Sequence, residues 1–266
     1  MNITRRLAVI AFTLLLAGFL PASCSNSVKR MDKSDVLAAE SMAASQKPDT
    51  ALTVFEQWKA GSEVTAASVE KFGLDRCFTS QEIDDRIFKR IYGKSFKENC
   101  TLERGHLRYI KALHFTPGGK IRLGEMICSK DIADDLLDIF RKLYEARYPI
   151  ERMELIDNYD ADDEKSMLAN NSSAFNFRYI ANTRKLSNHS RGRAVDINPL
   201  YNPYVRRRAG RLLVSPAEGR PYADRRRSFP MKINHSDLCY KLFKEHGFTW
   251  GGDWHSLKDY QHFEKP

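Results

Sequence analysis

Three side chains of the kinds that bind divalent metals lie in two short stretches near the C-terminus. Residues 187–196 contain His189 and Asp196, and residues 253–264 contain His262. Two imidazoles and one carboxylate suit Zn²⁺, and three protein ligands leave a fourth coordination position open, as in catalytic zinc sites. Residues seven apart face opposite ways on a strand and lie about 10 Å apart along a helix, so one regular element cannot carry the first two. The chain is therefore predicted to fold so that irregular segments bring these side chains together.

Local sequence features predict how this convergence is reached. Gly192 lies between the first two candidate ligands and permits a backbone reversal before a strand at residues 193–197. Asp259 precedes His262 by three residues, a spacing that brings two side chains together on a tight turn but not on a flat strand. We therefore place both on a turn that enters a short strand at residues 262–264, with Asp259 as the candidate base.

The order of these motifs resembles that of a known family. Ser187, His189 and Asp196 form the pattern Ser-x-His-x6-Asp. Trp-Gly-Gly-Asp-Trp at 250–254 and Asp-x-x-His-Phe-Glu at 259–264 follow it. In these motifs the chain is similar to zinc peptidases of the D-Ala-D-Ala carboxypeptidase type, which include VanX- and VanY-like enzymes and L-alanyl-D-glutamate endopeptidases.

The resemblance implies one zinc ion per chain, a zinc-activated water as nucleophile and a general base. Asp259 takes the role of the base, and an aspartate in that position resembles the endopeptidase branch. Arg178 is implied to steady the developing oxyanion, with Ser187 as a supporting hydrogen-bonding residue in substrate binding. The implied zinc ligands are His189, Asp196 and His262.

Several of these residues have a second, structural interpretation. Arg178 can instead form an ion pair with the acidic run at residues 157–164. The aromatic residues around the last candidate ligand can pack in the core or form the wall of a substrate cleft. We interpret Trp254 as a substrate-binding residue, and Gly251 and Gly252 as positions where the backbone approaches a peptide substrate.

The N-terminus predicts export. Two arginines precede an apolar run at residues 7–20, which is short for a membrane span and fits a secretory signal peptide. Ala22 and Ser23 before Cys24 resemble a bacterial lipobox, so Cys24 is the predicted lipidation site; an ordinary signal peptide or an uncleaved anchor are the alternatives. The other four cysteines allow three disulfide pairings in an oxidising compartment.

Hydrophobic periodicity and turn signals favour an α+β fold, in which a small antiparallel sheet with flanking helices carries the zinc site. A short helical region precedes it. A hairpin is predicted at 107–115 and 120–129, joined by a Gly118-Gly119 turn. Helices are predicted at 54–61, 80–93, 131–147 and 236–246, and further strands at 152–156, 173–179 and 193–198. We assign residues 1–23 to a signal peptide, 24–49 to a lipoprotein tether, 50–105 to the helical N-terminal region and 106–266 to the peptidase domain.

A basic segment interrupts the predicted peptidase domain. Residues 203–232 contain arginine runs at 206–208 and 225–227, in a chain of net charge +9. We interpret it as a long loop, which either attracts anionic envelope polymers or substrate carboxylates or is simply solvated. Nucleic-acid binding is not expected, because the chain is predicted to be exported and contains no recognised motif.

These features predict a zinc peptidase of the bacterial cell envelope, lipid-anchored and facing the periplasm. Its expected partners are peptidoglycan stem peptides, whose amide bonds it would cleave as a D-Ala-D-Ala carboxypeptidase or an L-Ala-D-Glu endopeptidase. The alternative is a non-catalytic peptidoglycan-binding lipoprotein that retains the fold. The sequence does not specify an oligomeric state.

Overall fold

A long β-hairpin lies at the centre of the fold. The structure, a computed structural model, describes residues 50–180 and 183–265. Strands β3 (Leu107–Phe115) and β4 (Ile121–Ser129) pair antiparallel along their whole length. Gly119, with a φ of 74°, lies in the turn between them. The predicted hairpin is confirmed.

Two short strands, β1 (Glu63–Val64) and β2 (Thr79–Glu82), extend this hairpin to a four-stranded sheet. The sheet has the order β1-β4-β3-β2, and both short strands are antiparallel to their neighbours. The N-terminal region also contains α1 (Thr50–Gln57), α2 (Ala66–Phe72) and α3 (Asp85–Ile91). The region between residues 50 and 105 therefore supplies two strands of the sheet as well as helices.

The predicted helix at 80–93 begins later than expected. Its first residues belong to β2, which pairs with β3. Asp84 then accepts a hydrogen bond from the backbone N–H of Ile87 at 2.7 Å and caps α3. Residues 80–82 thus belong to a strand because they pair with β3, although local periodicity assigned them to the helix.

Helix α4 (Ala133–Glu145) packs on β3 with its apolar face. Leu136, Ile139, Phe140 and Leu143 are all buried there. The helix predicted at 131–147 is confirmed to within two residues at each end.

The C-terminal half consists of short helices and small sheets. The strands are β5 (Arg152–Met153), β6 (Asn171–Ser172), β7 (Ala194–Asp196), β8 (Tyr204–Arg208), β9 (Arg211–Ser215), β10 (Thr249–Trp250), β11 (Lys258–Asp259) and β12 (His262–Glu264). One sheet has the order β10-β12-β7 and a second has the order β11-β8-β9, and both are antiparallel. Strands β5 and β6 form a parallel pair. The helices are α5 (Asp163–Leu168) and α6 (Leu238–Glu245). The α+β class is confirmed.

Two predictions for this half were wrong. Residues 173–179 form no strand, because they pair only through isolated bridges at Ser173 and Tyr179. The basic segment is not one long loop, because it contains the β8–β9 hairpin. Ala209 and Gly210 have positive φ at its tip, as a two-residue hairpin turn requires.

The expected disulfides are not formed, because the four described cysteines are free thiols. Cys77 lies in a different hydrophobic cluster from Cys128 and Cys239, and all three are buried. Burial raises the pKa of Cys77 to about 11 and that of the other two thiols further. These cysteines pack as small apolar side chains.

In the part of the chain that the structure describes, every helix is too short and too polar to cross a membrane; α4, with 13 residues, is the longest. The predicted signal peptide at 1–23, the lipidation site Cys24 and the tether at 24–49 lie outside these residues.

Candidate metal centre

His189 is placed by a tight 3₁₀ turn, Asn188–Arg191. The hydroxyl of Ser187 accepts a hydrogen bond from the backbone N–H of His189 at 3.3 Å and begins the turn. Gly192 ends it with a φ of 65°. A Cβ on this glycine would lie 2.5 Å from the backbone nitrogen of Ser129 in β4, so only glycine fits. The predicted reversal at Gly192 is confirmed.

Asp196 and His262 are placed by strand pairing. Asp196 is the last residue of β7 and His262 the first of β12, and the antiparallel register sets them directly opposite each other. Directly opposed residues on antiparallel strands have neighbouring side chains. The turn at 188–191 then brings His189 over this pair.

The three side chains converge as the sequence predicted. His189 Nε2 lies 3.2 Å from Asp196 Oδ2, and His262 Nδ1 lies 3.1 Å from Asp196 Oδ1. The two imidazole nitrogens are 3.2 Å apart. Ligand atoms at about 2.0–2.1 Å from a tetrahedral zinc lie roughly 3.4 Å from one another, so these separations fit one ion. The cluster is His189, Asp196 and His262.

The outer hydrogen bonds of the two imidazoles leave the correct nitrogens free for a metal. His189 Nδ1 donates to the carbonyl oxygen of Ala174 at 2.6 Å, because a carbonyl can only accept. His262 Nε2 lies 2.9 Å from Glu264 Oε2, to which it donates. In the neutral form of each ring the lone pair is therefore on His189 Nε2 and on His262 Nδ1, the atoms that face Asp196. Carbonyl and carboxylate partners of this kind orient metal-binding histidines.

Electrostatics of the metal-free cluster also favour a cation. Burial lowers the pKa of His262, but hydrogen bonds to Asp196 and Glu264 outweigh it and raise the pKa to about 10. Burial acts to raise the pKa of Asp196, but the charge of His189 and the hydrogen bonds of both imidazoles hold it well below its usual range. The pKa of Glu264 is lowered by its hydrogen bond with His262. Positive charge is thus stabilised where a metal ion would lie.

Asp259, the candidate base, lies on β11 opposite Tyr204 of β8. Its Oδ1 is buried and has no hydrogen-bond partner in the described part of the chain. Burial raises the pKa of Asp259 to about 6, with the negative charge of Asp196 adding to the effect and His262 opposing it. A buried carboxylate oxygen with no partner is available to accept a proton from a substrate or a water.

Gly251 and Gly252 lie against neighbouring residues of the protein, and their approach to a peptide substrate stays a prediction. A Cβ on Gly251 would lie 2.6 Å from the carbonyl oxygen and 2.8 Å from the Cβ of Asp259. A Cβ on Gly252 would lie 2.3 Å from the indole ring of Trp250. Both glycines are therefore required for internal packing, and Gly251 in particular lets β11 approach.

The remaining predicted site residues have structural contacts. Arg178 Nε forms an ion pair with Asp163, within the acidic run at 157–164. Ser187 caps the turn that carries His189, as described above. The ring of Trp254 lies 5.3 Å from that of His262, measured between centroids. None of these contacts tests a role in substrate binding, so those roles stay predictions.

The sequence interpretation missed Glu264 and Asn188. Asn188 Nδ2 donates to Glu264 Oε2 at 2.6 Å, and the same oxygen accepts from His262. Glu264 lies two residues after His262 on one strand, so the alternation of side chains along β12 places them on the same face. That spacing was a signal available in the sequence.

Comparison with known protein families supports the same interpretation of this region. A family model described as D-alanyl-D-alanine carboxypeptidase matches residues 181–265. This segment contains all three candidate ligands and Asp259, so the resemblance is confirmed over these residues. No curated protein and no solved structure matches the chain.

Proposed function

We propose that this protein is a zinc metallopeptidase that hydrolyses amide bonds of peptidoglycan stem peptides, as a D-Ala-D-Ala carboxypeptidase or an L-Ala-D-Glu endopeptidase. One observation carries the proposal: His189, Asp196 and His262 converge with their metal-binding atoms 3.1–3.2 Å apart. The match of this segment to a carboxypeptidase family supports the reaction class.

Zinc held by His189, Asp196 and His262 would supply Lewis acidity toward the scissile carbonyl and toward a water, whose pKa it would lower to about 7. Asp259 takes the proton of the attacking water on Oδ1 and passes it to the leaving amine. Arg178 balances the charge of the developing oxyanion. Ser187 supports the substrate contacts, and Trp254 forms a wall of the cleft.

The test combines metal analysis with digestion of defined muropeptides by the full-length protein and by Asp259→Asn. We expect one zinc per chain in both, and a loss of about 10²–10⁴-fold in hydrolysis for the variant, because only the base is removed. Asp253→Asn, an exposed carboxylate in the same segment, serves as the matched control and keeps full activity. Mass spectrometry of the products identifies the bond that is cleaved.

Two results contradict parts of this proposal. Zinc-loaded protein that leaves every muropeptide intact is the non-catalytic binding protein of the alternative interpretation. If the protein cleaves other peptides but not stem peptides, it is a zinc peptidase, and the proposed substrate is wrong.

The same proposal places the protein in the cell envelope, anchored through an acylated Cys24 and facing the periplasm. Cys24→Ser is then expected to move the protein from membranes washed at high salt to the soluble fraction without changing hydrolysis. An unchanged distribution after the high-salt wash rejects the lipid anchor.

A further inference from the structure

The two arginine runs of the basic segment have different surroundings. In the second run, Arg225 donates to backbone carbonyl oxygens, including that of Ile233 at 2.7 Å, and is largely buried, while Arg226 pairs with Asp224 at 2.9 Å. Arg225 therefore serves the fold, whereas Arg226 is exposed and its charge is paired locally. The first run lies on β8, in the β8–β9 hairpin.

Alternation along the two strands gives this hairpin an exposed face. Arg206 lies opposite Leu213 and Arg208 opposite Arg211, so these four side chains share one face. All four are exposed, and Leu213 keeps 48% of its surface accessible. On the other face Val205, Leu212 and Val214 are half-buried, whereas Arg207 is exposed. We call Arg206, Arg208, Arg211 and Leu213 the arginine face.

The charges of the arginine face are not neutralised within the protein. Across residues 50–180 and 183–265, the three guanidinium groups make no side-chain hydrogen bond or ion pair. Residues 204–215 also contain no acidic residue. Guanidinium groups bind phosphate and carboxylate oxygens through two parallel hydrogen bonds, so the three free arginines suit an anionic partner, and phosphate is one such anion.

We propose that the arginine face docks the protein on the surface of a bilayer that contains anionic phospholipids. The arginines bind the phosphate groups, and Leu213 enters the boundary between headgroups and acyl chains. An exposed leucine among three arginines favours a lipid surface over a purely polar anionic polymer such as polyphosphate, because a lipid surface offers apolar contact beside the phosphates.

The position of the face links docking to the candidate metal centre. β8 begins at Tyr204, opposite Asp259, and ends at Arg208. At about 3.3 Å per residue, roughly 13 Å separate the two ends of this strand. The arginine face therefore includes one end of β8. The other end of β8 pairs with β11, which carries Asp259. The proposal does not depend on peptidase activity.

The test measures co-sedimentation of residues 24–266 carrying Cys24→Ser, so that neither the predicted signal peptide nor an acyl group contributes. Vesicles of equal parts phosphatidylglycerol and phosphatidylcholine are compared with phosphatidylcholine alone. We expect binding to the anionic vesicles only, and a decrease with added salt. Replacing Arg206, Arg208 and Arg211 by glutamine is expected to weaken binding about a hundred-fold, which corresponds to about five-fold for each arginine.

The matched control removes the same three charges elsewhere, by Arg86→Gln, Lys89→Gln and Lys244→Gln on exposed helix surfaces. This variant is expected to bind nearly as well as the parent. Equal weakening by both variants reduces the effect to net charge and overturns the proposal. All variants are compared by circular dichroism, and the arginine-face variant is expected to keep the parent spectrum because its side chains lie outside the core.

Leu213→Ser separates a lipid surface from a soluble polymer. We expect it to weaken vesicle binding several-fold and to leave binding of soluble polyphosphate unchanged. If Leu213→Ser has no effect on vesicles and polyphosphate binds as tightly at equal phosphate concentration, the face is a polyanion site and the membrane proposal is wrong.

Discussion

Glu264 joins the two segments that carry the imidazole ligands. It accepts from His262 on its own strand and from Asn188, the neighbour of His189 in the 3₁₀ turn. One carboxylate therefore fixes the ring orientation of the second ligand and the position of the first. Partners of this kind commonly change metal affinity by 10–100-fold.

Glu264→Gln is accordingly expected to lower the affinity for zinc about 10–100-fold while the protein remains folded. The amide keeps the shape of the side chain but loses the negative charge that holds the proton of His262 on Nε2. Competition with a chelating dye measures the affinity. Glu245→Gln, at the exposed end of α6, is the control; a loss of similar size there contradicts the assigned role.

Proton competition at His262 predicts opposite pH dependences for zinc binding and for metal-free stability. The pKa of His262 is raised from 6.5 to about 10, so its proton stabilises the metal-free protein fully below pH 6.5 and this stabilisation is lost as the pH rises towards 10. Zinc must displace that proton, so its affinity is expected to rise by up to about ten-fold per pH unit over the same range.

Calorimetric titration with zinc in buffers of different ionisation enthalpy counts the protons released, and chemical denaturation of the metal-free protein measures its stability. His235→Gln, an exposed histidine outside the cluster, is expected to retain both slopes. A zinc affinity that does not change with pH rejects this account.

Among the structural elements, β11 depends on one close backbone contact. Its position opposite β8 sets Asp259, and Gly251 permits the approach, since a Cβ there would lie 2.6 Å from the carbonyl oxygen of Asp259. The 3₁₀ turn Gly251–Asp253 thus acts on the candidate base without contributing a side chain to the site.

Gly251→Ala is therefore expected to displace β11 and to reduce hydrolysis about 100-fold, the effect of a shift of about 1 Å in a catalytic group. Zinc affinity is expected to change much less, because the three ligands lie on other elements. Gly105→Ala, where an added Cβ meets nothing within 4 Å, controls for the substitution. If Gly251→Ala loses both zinc binding and hydrolysis, Gly251 does not act on the candidate base alone, and this prediction is wrong.

Helices and strands with a clear period of apolar residues could be predicted from the sequence. Elements that depend on pairing with residues distant in the sequence could not. The β3–β4 hairpin and α4 follow from alternation, turn glycines and a helical apolar face. The β8–β9 hairpin was missed because arginines fill both faces near its tip and hide the period of two. β2 was assigned to a helix because its pairing partner lies on β3, almost thirty residues later.

In the candidate site, too, features set by a local motif could be predicted and contacts between distant segments could not. The convergence of His189, Asp196 and His262 was predicted because the motif specifies residue types and spacing together. The contact of Gly251 with Asp259 was not, since it depends on how two separate segments pack. The ion pair of Arg178 with Asp163 was foreseen only as one of two alternatives.

At the scale of the whole molecule, the N-terminal region is packed on the central hairpin. Phe55, Trp58 and Val69 share a hydrophobic cluster with Leu113 of β3 and Leu123 of β4. The described residues form one compact unit. The metal centre borders the opposite end of β4, where Ser129 N–H donates to the carbonyl oxygen of Gly192 at 2.8 Å.

Trp58 is the side chain on which this packing most clearly depends. It is 5% exposed, and its Nε1–H donates to the carbonyl oxygen of Gly124 in β4 at 3.0 Å. Trp58→Ala leaves a cavity and an unpaired buried carbonyl, so we expect the free energy of unfolding to fall by about 3–5 kcal/mol. Denaturant unfolding of the zinc-free protein measures the change.

The neighbouring Lys59→Ala, whose side chain is exposed, is expected to alter that free energy by less than about 0.5 kcal/mol. Hydrolysis per folded molecule of Trp58→Ala should remain close to that of the parent, because the metal centre does not contact this cluster. A large loss of stability with unchanged activity means that residues 50–105 support the fold as a whole. If stability instead stays unchanged, this region is not part of the cooperative core, and a boundary near residue 106 separates two independent units.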